Sequence, residues 1–314
     1  KSIPESIWRH PSLEKLYLTE CDSLPSLPDV ALENVSSNLV SITLYSCEQL
    51  EVLPEGISKL TALKQLSLSC CISLANILES IWRLSCLERL DLSGCHGLTS
   101  LPNVTFENAP SNLVFLALSS CEKLAVLPEG ISKLTALKQL DLWKCTSLKS
   151  IPESIWRLPN LEELDLSECH GLQSLLDITF ENVSSNLVSL DLTSREKVEV
   201  LPEGISKLTA LEELYLWRCI SLKSIPESNW RLPSLEELNL SECHGLQSLP
   251  DVTFENVLSN IKWLALSSCV KLQVLPEGIS KLTALKRLYL WNCVALKRIP
   301  KHVRELSRST YTKS

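Results

Sequence analysis

Methionine is absent from the 314 residues, and Phe, Trp and Tyr together make up only 5%. Without an initiator residue, the chain is expected to be cut from a longer one. No apolar run approaches the roughly 20 residues of a membrane span. The opening residues, Lys1 to His10, lack the charged-then-apolar layout of a signal peptide. Neither G-x-x-x-x-G-K-[ST] nor G-x-G-x-x-G occurs, so nothing is expected to cradle a nucleotide and no cofactor is implied. A basic balance is missing too. The net charge of −7 argues against nucleic acid or an anionic membrane as the main partner. Ser, His and Asp are plentiful, but no nucleophile elbow or triad arrangement marks an enzyme.

What is present is a repeat. The frame L-x-x-L-x-L-x-x-C starts at Leu13, Leu39, Leu63, Leu87, Leu113, Leu137, Leu161, Leu187, Leu211, Leu235, Ile261 and Leu285. The steps run 26, 24 and 24 residues in a repeating cycle. Each frame continues into x-x-L-x-x-L-P, as at Leu148, Ile151 and Pro152. The fourth and sixth frame positions lie two residues apart, so they share one face of a strand while their neighbours point the other way. One repeat cannot bury that leucine face alone, whereas stacked repeats close a continuous core. This period and pattern are those of a leucine-rich repeat. The fold expected is α/β: a leucine-rich-repeat solenoid forming a right-handed arc. About twelve parallel strands would line the concave face, with short helical or 3-10 turns and loops on the convex face.

Thirteen cysteines suggest disulfides until their placement is examined. Eleven stand at the ninth frame position: Cys21, Cys47, Cys71, Cys95, Cys121, Cys145, Cys169, Cys219, Cys243, Cys269 and Cys293. Parallel side-chain directions make bridging awkward, so a buried ladder of thiols facing the turn backbone is expected. That favours a reducing compartment, the cytoplasm or nucleus. The sequons at Asn34, Asn103 and Asn182 are weak signs of secretion. The Cys95/His96, Cys169/His170 and Cys243/His244 pairs stand three repeats apart, roughly 15 Å, and cannot share one metal ion.

A longer period overlies the short one. L-P-E-G-I-S-K-L-T-A-L returns at Leu53, Leu127, Leu201 and Leu275, and the Trp8, Trp82, Trp156 and Trp230 segments keep the same 74-residue spacing. Phe106, Phe180 and Phe254 follow it as well. The chain therefore reads as a single domain, 1–314, of four units (3–76, 77–150, 151–224, 225–298) with a tail from 299 to 314. Pro152 suits the first turn of a short outer helix, in which Ile155 and Leu158 face the core and Trp156 and Arg157 point outward. The two extra residues of the longer repeats fall in V-T-F-E-N-V-x-S-N, expected to bulge on the outer side. Two departures, Arg195 in the cysteine ladder and Asn229 at a core-facing Ile position, suggest local loosening of the outer turn.

Function in such an array belongs to the third, fifth and seventh frame positions. Early repeats offer Ser41, Thr43, Gln65, Ser67 and Ser69; an acidic middle follows with Asp91, Asp141, Glu163, Asp165 and Asp191. The last four repeats add Tyr215, Trp217, Trp263, Arg287, Tyr289 and Trp291, with Arg218 beside them. Trp143 begins a line that Trp217 and Trp291 continue at the same frame position. Trp, Tyr and Arg dominate interface hot spots, which makes this a candidate protein-binding surface. Aromatic residues also suit strands, so each alone is weaker evidence than the group.

The stretches Leu161–Cys169 with Leu172 and Leu175, and Leu53-Pro54, resemble the C-terminal repeats of plant intracellular nucleotide-binding leucine-rich-repeat immune receptors, most closely the TIR-type branch. The resemblance implies a repeat region that recognises pathogen effectors and helps hold a nucleotide-binding switch inactive, with a protein as partner. The alternatives are an extracellular receptor ectodomain or inhibitor and a general intracellular scaffold. The extracellular class usually carries L-x-G-x-I-P and cysteine-paired caps, which this chain lacks. A bacterial ubiquitin-ligase effector fits poorly, because its repeats are nearer 20 residues.

Overall fold

A computed structural model describes residues 3–29, 38–105, 110, 112–172, 183, 186–250 and 260–299. The sequons at Asn34 and Asn182, the three insertion phenylalanines, Leu175 and the tail beyond Ile299 lie outside them. The chain forms two compact units, Lys1–Leu161 and Glu162–Ser314. The first carries β1 (Lys15–Thr19), β2 (Ser41–Tyr45), β3 (Gln65–Ser67), β4 (Arg89–Asp91), β5 (Phe115–Ala117) and β6 (Gln139–Asp141). The second carries β7 (Glu163–Asp165), β8 (Ser189–Asp191), β9 (Glu213–Tyr215), β10 (Glu237–Asn239), β11 (Trp263–Ala265) and β12 (Arg287–Tyr289). Within each unit every strand pairs in parallel with its chain neighbour, in register with the repeat: Leu66 faces Leu90, and Leu238 faces Leu264. The twelve strands fall where the leucine frame places them.

The frame leucines are the core. Leu87, Leu90, Leu92 and Leu98 of one repeat are all 0% exposed. Each strand is ended by the same device, a residue with positive φ at frame position eight, found in all twelve repeats from Glu20 to Asn292. The kink keeps lateral bonding alive beyond the strand. The Cys70 N–H donates to the Ser93 carbonyl at 2.7 Å, and Arg218 N–H to Ser241 at 2.8 Å. The next residue is the ladder cysteine, whose thiol donates to the sixth-position carbonyl one repeat back. In the first unit Cys71 reaches Leu44 at 3.3 Å and Cys95 reaches Leu68 at 3.2 Å. In the second, Cys243 reaches Leu216 at 3.2 Å and Cys269 reaches Leu240 at 3.0 Å. Burial pushes the Cys71, Cys219 and Cys269 thiols up to about 12, and raises Cys95 and Cys121 further. They remain protonated donors at neutral pH, and poor nucleophiles.

The outer segments are 3-10 turns of five residues, such as Glu55–Lys59 and Glu79–Arg83, each entered from an extended residue, usually proline. Their tight i to i+3 bonds, Ile57 N–H to Pro54 and Leu60 N–H to Ile57, recur from segment to segment. Two further lateral ties join consecutive repeats. Asn side chains before the frame donate one repeat back, Asn38 to the Pro11 carbonyl at 2.7 Å and Asn260 to Pro233 at 2.6 Å. At the outer segment, the Gly130 N–H donates to Asn103 Oδ1 at 3.1 Å, and a Cβ there would meet the Val104 carbonyl at 2.1 Å. Only glycine fits so close an approach.

Four expectations need correction. The tryptophans of the outer segments do not point outward: Trp8, Trp82, Trp156 and Trp230 are 2%, 1%, 4% and 3% exposed. The Trp82 Nε1 donates to the Pro102 carbonyl at 3.1 Å, so the ring sits beneath the outer segment of the following repeat. Ser41 is also buried rather than displayed. Arg195 does not loosen its turn. It is 1% exposed, its Nη2 donates to the Leu172 carbonyl at 2.7 Å, and the Ser194 N–H keeps its lateral bond to Trp217. Its Nη1 is buried without a partner, and burial lowers its pKa. At Asn229 the turn also forms, with Asn229 Nδ2 donating to Pro202 at 3.3 Å and its N–H to Pro226.

Two outcomes follow from this packing. Trp82→Ala is expected to cost about 3–5 kcal/mol in urea unfolding, a core-sized loss that an outward-pointing ring would not show. Arg195→Cys restores the ladder donor and removes a buried, half-satisfied charge. It is expected to raise stability by about 1–3 kcal/mol, read as an upward shift of the calorimetric transition.

Candidate protein-binding face

From β3 onward the strands end after frame position five, which leaves the N–H of position seven without a ladder partner. Side chains at position five supply one. Asp91 Oδ1 accepts from the Ser93 N–H at 2.9 Å, Asp141 from Trp143 at 2.9 Å, Asp165 from Ser167 at 2.8 Å and Asp191 from Thr193 at 2.8 Å. Asn239 does the same for Ser241 at 3.0 Å. The acidic stripe is therefore a row of turn caps. In the first unit it is also knitted sideways: Ser69 Oγ donates to Asp91 Oδ2 at 2.7 Å, and Ser119 Oγ to Asp141 Oδ2 at 2.9 Å. Glu163 is exposed one strand position earlier.

Trp143, in the first unit, is 41% exposed, with Lys144 held beside it by Glu122 at 3.7 Å. The second unit gathers the remaining aromatic candidates on β9 to β12. Frame position three runs Glu213, Glu237, Trp263, Arg287; position five runs Tyr215, Asn239, Ala265, Tyr289; position seven runs Trp217, Ser241, Ser267, Trp291. Trp217 and Trp291 are 40% and 67% exposed. Three strand spacings, about 14 Å, separate their strands, and the small side chains of Ala265, Ser241 and Ser267 lie between. Trp263 and Tyr289 meet edge to face, with ring centroids 5.9 Å apart. The Tyr215 hydroxyl donates to Glu237 Oε2 at 3.2 Å; burial, then the Glu213 and Glu237 carboxylates, hold its pKa well up. Arg218 is exposed on the positive-φ turn after Trp217.

An open recess of about 360 Å³ lies at the start of β10 to β12, lined by Glu237, Lys262, Trp263, Lys286 and Arg287. Lys262 and Lys286 escaped the sequence reading because it confines function to frame positions three, five and seven, and both lysines stand at position two. Their signal was visible as two lysines at that position in successive repeats. Among the described residues no group of three or more His, Cys, Asp and Glu side chains is placed to hold a metal.

Residues 130–270 match the family described as plant disease resistance protein RPS2-like, leucine-rich repeats. Among solved structures, the leucine-rich repeat domain of the type III effector XopL is 23% identical; the match covers 91% of this chain and 78% of that one, at a TM-score of 0.56. The Drosophila Toll–Spatzle complex matches at 19% identity and a TM-score of 0.62, over 93% of this chain and 42% of that one. At such identities both are likenesses of fold. No curated protein matches the chain significantly. The chain has the leucine-rich-repeat fold.

The Asp191 cap carries a pH signature. Burial raises its pKa, only partly offset by the hydrogen bonds from Thr193. Its ionised form is therefore penalised in the folded state, and that penalty is relieved as pH falls through the raised value. Asp191→Asn keeps the acceptor, as Asn239 shows. Its melting temperature is expected to equal or exceed that of the parent at pH 7, with the difference shrinking towards pH 4. A variant that melts lower at pH 7 and recovers on acidification contradicts this.

Proposed function

We propose that this leucine-rich-repeat domain is the partner-sensing and autoinhibitory region of an intracellular immune receptor of the plant nucleotide-binding leucine-rich-repeat class. The observation that carries the reading is the match of residues 130–270 to the plant resistance-protein repeats. The Leu161–Cys169 and Leu53-Pro54 stretches favour the TIR-type branch. The thiol ladder supports a reducing compartment, cytoplasm or nucleus, because thiol hydrogens along the ladder are committed to carbonyls, as Cys145 is to Leu118 at 3.1 Å. The partner is a protein, engaged by the strand face of the last four repeats. Trp217, Tyr289 and Trp291 act as anchors, Trp263, Arg218 and Arg287 extend the patch, and Glu163 with the capped Asp165 and Asp191 marks its flank within the second unit.

The test is affinity for a nucleotide-binding switch domain of this receptor class, supplied in trans. Trp217→Ala and Trp291→Ala are each expected to cost about 2 kcal/mol, roughly thirtyfold, while leaving stability within about 0.5 kcal/mol. Val200→Ala and Val274→Ala, exposed but off the strand face, are the controls; the buried Trp156 and Trp230 are unsuitable. A switch domain that fails to bind, or that is weakened more by the valine pair, overturns the reading.

A further inference from the structure

The recess at the start of β10 to β12 gathers three cations, Lys262, Lys286 and Arg287, around one acid, Glu237. Some exposed cations of the chain are neutralised where they stand: Lys64 by Glu88 at 2.8 Å, Lys223 by Glu199 at 2.6 Å, Arg157 by Glu153 at 2.9 Å. Lys262 also has its carboxylate, Glu236, at 2.5 Å. Lys286 and Arg287 have none among the described residues, although both are exposed and both line the recess. The first unit offers a direct comparison. Arg89 and Phe115 are cross-strand neighbours at frame position three, and the guanidinium sits 3.8 Å from the ring centroid. Arg287 and Trp263 have the same cross-strand relation, but the Trp263 ring is engaged by Tyr289. Among the described residues, the guanidinium of Arg287 is thus left with neither an anion nor a ring of its own. The one acid in the wall, Glu237, already accepts from Tyr215.

Resting on the protein-recognition reading above, we propose that this recess is the carboxylate-binding subsite of the strand face and takes a Glu or Asp side chain from an acidic segment of the partner. The chemistry is complementary throughout. Arg287 offers a planar pair of N–H donors that suits a carboxylate, and Lys286 adds a point charge from the neighbouring frame position. The face of Trp263, held by its edge contact with Tyr289, packs the methylenes of the incoming side chain. Paired Lys262 and Glu236 form the rim. In a chain of net charge −7, this is a local cationic site that long-range attraction alone would not produce. Its contacts are surface ones, so binding weakens with salt.

The probe is an end-capped hexaglutamate peptide carrying fluorescein, measured against the full chain by anisotropy at 50 mM and 300 mM salt. Binding at low salt is expected, several-fold weaker at high salt. The double variant Lys286→Ala/Arg287→Ala is expected to bind at least tenfold more weakly, while Lys223→Ala/Arg231→Ala, at cations already paired, binds as the parent does. A hexaglutamine peptide is expected not to bind. Equal binding by hexaglutamine, an unaffected recess variant, or no hexaglutamate binding at low salt overturns the assignment. So does a single-stranded oligonucleotide that binds more tightly and is lost in the same variant, since the subsite would then serve phosphates. The readout is separate from the anchor test: loss of switch-domain binding at Trp217 and Trp291 with hexaglutamate binding intact would leave the subsite standing without its larger interface.

Discussion

A proton on a buried sulfur, given to a leucine carbonyl one repeat back, is the interaction on which each unit rests. The chain must turn sharply after every strand, and the buried sixth-position carbonyl accepts the N–H of its own turn, as Leu68 does from Cys71 at 3.1 Å. This leaves a second lone pair in an apolar layer for the thiol of the next repeat. The Cys71 thiol meets that need at Leu44 and Cys219 meets it at Leu192, at 3.3 Å each. A thiolate would offer no donor, so the burial that raises these thiols also preserves the bonds they make. Packing and protonation state support one another here, and the same solution recurs at Cys47, Cys95, Cys121, Cys145, Cys243, Cys269 and Cys293.

Arg195 shows what the array tolerates when that solution is absent. The strand Ser189–Asp191 and the following turn persist, because lateral backbone bonds on both sides hold them. Repeat proteins derive stability from intrinsic repeat terms and nearest-neighbour terms. A defect in one rung therefore weakens its own junctions and leaves distant ones alone.

The strands were legible because the frame carries its own period: two leucines two residues apart define a face, and twelve copies place twelve strands. The cysteine ladder was legible for the same reason. The outer tryptophans were not. Ile155 and Leu158 fix which side of the segment faces its own repeat, and Trp156 falls off that side. What buries the equivalent Trp82 is the next repeat, whose Pro102 carbonyl receives its indole N–H. Burial across the stack leaves no trace in the periodicity of one segment. The acidic stripe misled in a related way. Asp141 and Asp191 look like displayed charges until the orphaned N–H two residues on is counted. Of the candidate face, the aromatic residues were readable at their frame positions, while the lysines of the recess needed the side-by-side placement of successive repeats.

The positive-φ residue at frame position eight sets a filter on how this surface can change over generations. That conformation is strained for branched side chains and easier for Asn or Gly. The twelve occupants are Glu20, Ser46, Cys70, Gly94, Ser120, Lys144, Glu168, Ser194, Arg218, Glu242, Ser268 and Asn292, without a single Val, Ile or Thr. Yet charge and size vary widely among them, from glycine to arginine. Drift at this row is thus free in chemistry and restricted in shape: mutation can revise the charge beside Trp143, Trp217 or Trp291 in one step, provided the newcomer has no branch at Cβ. Two adjacent columns, one variable in charge and one able to hold tryptophan, give duplicated repeats a cheap route to diverge in what they bind.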